Sequence, residues 1–144
     1  MDKRAVTETE LGAWVFKADG RRFDESMTIR SRCVADNYRK DLMRRGQRVL
    51  LWVSGPGGGP RPRGIWGLGW ITGEARSDPD DGWVAPADIT VLAEPDRVLA
   101  TDLREIPALA DMEVLKLPQG SNPSWVTRDQ LAAIEPLLPK WPAL

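Results

Sequence analysis

Three tryptophans, Trp52, Trp66 and Trp70, bracket a Gly/Pro-rich stretch in RVLLWVSGPGGGPRPRGIWGLGW, residues 48–70. Two chemistries compete for it. A Gly-rich loop can cradle phosphate with its backbone N–H groups, whereas indoles beside a polar rim offer flat faces for a planar base, at about 1–3 kcal/mol per stacked base. The phosphate loop fails on its residues. G-x-x-x-x-G-K-[ST] needs a Lys and then a hydroxyl after the second glycine, and here Gly59 is followed by PRPRG. Pro56, Pro60 and Pro62 remove N–H donors, and the segment leads into a strand where a dinucleotide fingerprint would open a helix. The stretch therefore reads as a connection between two antiparallel strands, and the chemistry passes to the aromatic side chains.

Seven Trp accompany one Tyr and two Phe. Any one of them taken alone is core packing, but as a set, close to Ser54, Gly67 and the QGSN loop, they could form a stacking surface whose polar neighbours contact a base edge. Other chemistries are poorly supplied. The chain has no His and a single Cys, which excludes His/Cys zinc sites, Ser-His-Asp and Cys-His triads, and disulfides within the chain. Cys33 reads as a small buried apolar residue. An enzyme would have to use carboxylates such as Asp19, Asp36 or Asp88, and nothing in their spacing pairs them. We expect no catalytic residues, no metal and no cofactor.

Net charge is −1 over 144 residues, but residues 1–76 hold 15 Lys/Arg against 9 Asp/Glu, and residues 77–144 hold 5 against 12. The basic half is mostly Arg, whose planar fork suits phosphate, so one face could follow a nucleic-acid backbone; the alternative is a solvated surface with pairs closing across the fold. Arg39, Arg44, Arg45, Arg61 and Arg63 are the phosphate-binding candidates. No apolar stretch is long enough to cross a bilayer, and MDKRAVTETELG lacks a signal-peptide core, so a cytoplasmic protein without membrane contact is expected.

These side chains must be placed by regular elements. AWVFKA alternates Trp14 and Phe16 against Val15 and Lys17, as a strand buried mainly on one face would. ADNYRKDLMRRG predicts a short helix, with Asp36 or Asn37 as N-cap, Arg44 and Arg45 in its last turn and Gly46 as C-cap. QRVLLWVSG is the clearest strand, with Val49, Leu51 and Val53 on one face and Leu50, Trp52 and Ser54 on the other. GIWGLGWITG is its expected partner, with Trp66, Leu68 and Trp70 on one face and Ile65, Gly67, Gly69 and Ile71 on the other; its glycines signal a bulge, a bend or a close approach. DITVLAE reads as a further strand. TDLREIPALADM predicts a short helix capped by Thr101 or Asp102, and TRDQLAAIEPLL one with a capping box, Thr127 and Gln130, and a Leu131, Ile134, Leu138 stripe.

In this order, WVFKADG, NYRKDLMRRGQRVLLWVSG, GIWGLGWITG, DITVL and LPQGSNPSWVTRDQLAAIE resemble the EVE domain of the PUA-like superfamily, which is related to YTH domains. The resemblance spreads over residues 13–135 and implies a single α+β domain, 1–144, built as a PUA-like bent antiparallel/mixed β-barrel surrounded by short helices. It also implies a pocket that accepts a modified base flipped out of DNA or RNA. The family's positions fall on Trp14 and Lys17, on Asn37 and Tyr38, on Trp52 and Ser54, on Gly64, Ile65, Trp66 and Gly67, and on Gln119 and Gly120, with Ser121 and Asn122 at the rim. The chain departs from the family pattern in having ADG for Ser-Glu-Pro after the Lys, RSRCVAD for Trp-Asp-Gly-Val-Arg before Asn-Tyr, and NPSWV for the C-terminal Arg-Leu-Ser-Val. One aromatic wall of the pocket is then either missing or supplied by Trp66, Trp83 or Trp125.

The expected function is a non-catalytic reader of a modified base on DNA or RNA. The alternatives are a small-ligand or protein-binding module of the same fold, or a nucleotide-processing enzyme using carboxylates.

Overall fold

The computed structural model describes residues 5–21, 28–54, 62–118 and 120–144. β1 (Leu11–Asp19), β2 (Ile29–Val34), β3 (Arg48–Ser54), β4 (Gly64–Ile71), β5 (Arg76–Asp78), β6 (Gly82–Val91), β7 (Val98–Leu99) and β8 (Ser124–Thr127) join one mixed sheet in the order β2-β6-β4-β3-β1-β8. β5 lies beside β6 and β7 beside β4. The β1/β3 pair is parallel and the other pairings are antiparallel. Three short helices follow the main strands: α1 (Ala100–Leu103), α2 (Glu113–Lys116) and α3 (Arg128–Ile134).

The sheet carries a hydrophobic core on each face. Trp14, Phe16 and Ala18 of β1 join Val49, Leu51 and Val53 of β3 and Ala85, Ala87 and Ile89 of β6 in one. Ala13 and Val15 join Leu50, Trp52 and the helical residues Leu103, Val114, Leu131 and Ile134 in the other. Period-two alternation therefore sorts β3 as expected. β1 departs from expectation because Leu11 and every residue from Ala13 to Ala18 are buried: a strand covered on both faces reads as a continuous run, and burial of each large apolar side chain contributes roughly 1.5–3 kcal/mol.

β4 corrects a second expectation. Leu51 pairs with Gly67 but Trp52 pairs with Ile65, so Trp66 is an extra residue in a β-bulge. The bulge reverses the side-chain parity. Trp66 joins the core of Trp14, while Leu68 joins Ile65 in the opposite one; they do not share a face. Gly67 and Gly69 mark close approach, since a Cβ on Gly69 would overlap the Asp88 carbonyl and Ile89 backbone of β6.

The expected helix near residue 38 is a 3-10 turn, Tyr38–Leu42, which leaves Arg44 and Arg45 beyond its end. Its N-cap is Asn37, as expected, and Gly46 takes a left-handed φ of 93° in the turn that follows. Neither Thr101 nor Asp102 caps α1, which starts after Leu99 without a side-chain cap. α3 has its capping box, Thr127 with Gln130, and buries Leu131 and Ile134. Cys33 is exposed on β2, contrary to expectation, because alternation there turns Val34 inward.

The sheet bends around the first core without closing into a barrel. β2 and β8 end the strand path and share no ladder. Among the bonds that span that gap, the Ala35 N–H donates to the Asn122 carbonyl at 2.8 Å, and Arg32 Nη2 donates to the Lys17 carbonyl at 2.6 Å.

Candidate nucleic-acid interface

The parallel β1 and β3 end side by side at Asp19 and Ser54. Ser54 ties the ends together, accepting the Gly20 N–H on its carbonyl at 2.7 Å and donating its Oγ to the Ala18 carbonyl at 3.3 Å. β8 pairs β1 only as far as Val15, so the edge of β1 at Lys17 needs other partners. Asn122 supplies them. Its Oδ1 accepts the Lys17 N–H at 2.8 Å and its Nδ2 donates to the Lys17 carbonyl at 3.2 Å, continuing the ladder with a side-chain amide.

Lys17 is one of the positions that the family resemblance assigns to the pocket. Its side chain is buried, and its ammonium donates to the carbonyls of Gly120 and, at 3.5 Å, Leu117, so it anchors the loop before β8. Ser121, at the top of that loop, is exposed. Gln119 lies outside the described residues. Asp19 accepts from the Arg21 backbone at 2.9 Å and its guanidinium at 3.0 and 3.2 Å, and this partner raises the pKa of Arg21.

The aromatic candidates are mostly interior. Trp14 is fully buried with its N–H on Gln47 Oε1 at 2.8 Å. Trp66 is 2% exposed, donates to the Pro62 carbonyl at 3.0 Å and carries the Arg97 guanidinium 3.9 Å above its ring. Trp52 is 1% exposed, and Trp125 also packs inside. None of these rings presents a free face. Tyr38, at 48%, is exposed; its hydroxyl accepts the Val6 N–H at 2.8 Å, and Asn37 before it serves as the cap. Trp83 is half-buried at the end of β6 that pairs with Val34, and Lys40 Nζ sits 4.4 Å from its ring centroid. Gly67 is enclosed by Leu51, Thr90 and Ile89.

The arginine candidates divide. Arg39 is buried and forms a two-pronged pair with Glu113 at 2.7 and 2.8 Å plus a bond to the Pro123 carbonyl at 2.9 Å; hydrogen bonding to Glu113 raises its pKa against the opposing effect of burial. It is a structural cation. Arg44 is exposed but donates to the Asp41 and Met43 carbonyls, Arg45 is exposed, Arg63 is half-buried, and Arg61 lies outside the described residues. The carboxylates named for an enzyme each engage a different cation: Asp19 with Arg21, Asp36 with Lys40 and Asp88 with Arg30.

Sequence reasoning missed Arg32 as a site residue. It lies in β2, where an irregularity between Ile29 and Ser31 interrupts the alternation, and burial lowers its pKa. A groove of about 470 Å³ at the opposite end of the β1/β3 pair was also missed; Gly12, Gly46, Arg48, Arg128 and Glu135 line it. Arg48 there pairs with Glu135 at 2.7 Å and lies 4.9 Å from the Trp141 ring. The signal for it was the spacing of Arg128 and Leu131 in α3 with Glu135 directly after it.

No protein-family model matches the chain, and no curated protein matches it in sequence. Solved structures do match in fold. A Pseudomonas syringae protein superposes with a TM-score of 0.67 at 18% identity, over 87% of this chain and 98% of its own. The DUF55 domain of human thymocyte nuclear protein 1 gives 0.58 at 15% identity, over 87% and 97%. Human THYN1 protein, solved in complex with 5-methylcytosine containing DNA, gives 0.56 at 16% identity, over 90% and 99%. The chain thus shares its α+β fold with these structures over most of its length, with an open mixed sheet where the resemblance implied a barrel.

Proposed function

We propose that this chain is an EVE-type, non-catalytic nucleic-acid-binding module that accepts a modified base flipped from its strand at the end of β1. The observation that carries this reading is the fold shared over 90% of the chain with a human protein solved on 5-methylcytosine containing DNA. Two features of this chain support it. Arg21, Arg30, Arg44, Arg45 and Arg76 are exposed cations within the basic half, suited to phosphate. Lys17, Arg32 and Asn122 converge on one strand end, where β2 and the loop before β8 meet.

Burial moves the stacking role away from Trp14, Trp52 and Trp66. Tyr38 and Trp83, the aromatics of the β2–β6 side with exposed surface among the described residues, take it instead. Flipping costs a few kcal/mol, which stacking at about 1–3 kcal/mol per base, together with edge hydrogen bonds, offsets.

The test is a fluorescence-anisotropy titration with labelled single and double strands of DNA and RNA, carrying cytosine, 5-methylcytosine or 5-hydroxymethylcytosine, at two salt concentrations. Affinity that depends on the modification, and that is lost in Trp83→Ala or Tyr38→Ala with the melting temperature kept, is expected. Salt-sensitive binding blind to the modification reduces the module to a general nucleic-acid binder. Absence of binding turns attention to the groove beside Arg48 and Arg128 and to a small-ligand function.

A further inference from the structure

The groove at the start of β1 lies at the opposite end of the β1/β3 pair from Lys17 and Asn122, away from the proposed base site. Its volume of about 470 Å³ is within the size range of small-ligand sites. One wall is the turn from Thr7 to Leu11, closed by the Leu11 N–H on the Thr7 carbonyl at 3.0 Å, and another is α3. The Arg128 N–H donates to the Glu10 carbonyl at 3.0 Å, so turn and helix are fixed to each other. Leu11 and Leu131, both buried, supply apolar surface to the lining.

Among the described residues, four charged side chains stand in this lining, and they differ in what they already hold. Arg48 is engaged: its guanidinium donates to Glu135 at 2.7 Å and lies 4.9 Å from the Trp141 ring centroid and 5.8 Å from that of Trp70. The Arg48–Glu135 pair also borders a second groove, of about 310 Å³, beside Lys140 and Trp141. Glu8 and Arg128 are exposed, and among the described residues neither side chain has a hydrogen bond or ion pair, with the other or with any third group. A lone exposed charge is ordinary. A carboxylate and a guanidinium, both unpaired, in one groove that also holds two leucines form a complementary set.

We infer that this groove binds a small zwitterion with an apolar body, of the free α-amino acid class, with its carboxylate on Arg128, its ammonium on Glu8 and its side chain on Leu11 and Leu131. The charge balance selects that class. A phosphate or other simple anion would meet Glu8 and Glu135 along with the guanidiniums, and a simple cation would meet Arg128, whereas a ligand of both signs finds an opposite charge for each. Arg128 suits a carboxylate because its planar fork can donate two parallel bonds. The site is independent of nucleic-acid binding, which is proposed for the other end of the strands.

The test is an NMR titration of the full chain, in which the backbone amide signals of Gly12 and Gly46, both in the groove lining, report occupancy. Leucine, N-acetylleucine and leucinamide carry both charges, only the negative one and only the positive one, and each is added separately at mildly acidic pH. Leucine is expected to shift both signals and to bind about tenfold more tightly than either capped form. Glu8→Gln and Arg128→Gln change exposed side chains, should keep the wild-type melting temperature, and are each expected to bind leucine about tenfold more weakly. The inference is overturned by glycine signals that stay in place up to about 10 mM leucine, by capped forms that bind as well as leucine, or by variants that bind leucine as the wild type does. Should either variant fail to fold, the comparison of leucine with its capped forms on the wild type decides.

Discussion

The side-chain amide of Asn122 faces the peptide group of Lys17 as a neighbouring strand would, accepting its N–H at 2.8 Å and donating to its carbonyl at 3.2 Å. Asn122 thus extends the sheet by one rung where β8 has ended, and its own carbonyl receives Ala35 from the far end of the strand path. Asn122→Ala removes both side-chain bonds and leaves the Lys17 peptide short of partners. The expected loss is about 1–3 kcal/mol in urea denaturation, the cost of leaving a buried donor unmet. A loss of a few tenths would mean that water reaches this edge.

The Arg39–Glu113 pair joins the 3-10 turn after β2 to α2, and Ser124 Oγ donates to the same carboxylate at 2.9 Å. With Arg39 side chain 4% and Glu113 13% exposed, removing one partner strands the other. Glu113→Ala is expected to cost about 3–5 kcal/mol in chemical denaturation. Arg39→Met combined with Glu113→Leu should recover a large part of that, since no buried charge is then left over. If the double variant is as unstable as the sum of the single ones, the two residues are not coupled.

What was legible in the sequence follows range along the chain. The β3 alternation, the Asn37 cap and the Thr127/Gln130 box depend on residues within a few positions of one another, and all are present. Arg39 read as a free phosphate ligand because Glu113 lies 74 residues away. Trp66 and Leu68 read as face-mates because period two assumes an unbroken ladder, which the bulge against β3 interrupts. The glycines of β4 signalled that irregularity but not its position. Burial of Trp14, Trp52 and Trp66 depends on what covers each face of the sheet, which no local pattern encodes, so the aromatic candidates drawn from the Trp set and the family resemblance fell on core residues.

Gly69 should tolerate no side chain. A methyl there would meet the Asp88 carbonyl and the Ile89 backbone, which cannot give way as a flexible side chain would. Gly69→Ala is expected to cost roughly 1–3 kcal/mol or more by forcing β4 and β6 apart. Gly73→Ala, whose Cβ would find Pro86 Cγ at an ordinary 3.5 Å, provides the control and should melt within a degree or two of wild type. Similar losses in both would assign the effect to glycine flexibility and not to contact.

Lys40 supplies the pH dependence. Its ammonium lies 3.0 Å from Asp41, 3.2 Å from Asp36 and 4.4 Å from the Trp83 centroid. The hydrogen bond to Asp41, then that to Asp36, holds its pKa above the ordinary lysine value against the desolvation that lowers it. The folded chain therefore binds this proton more tightly than the unfolded chain. The resulting stabilisation is fully present below the unfolded value of about 10.4 and is lost as pH rises through the raised folded value. Lys40→Met should consequently show a shallower fall in melting temperature across that alkaline window than the wild type, while differing little from it in slope at neutral pH, where the chain has no His to titrate. Parallel alkaline slopes in the two proteins would show that the loss belongs to other groups and that the Asp36 and Asp41 contacts add no net preference for the protonated lysine.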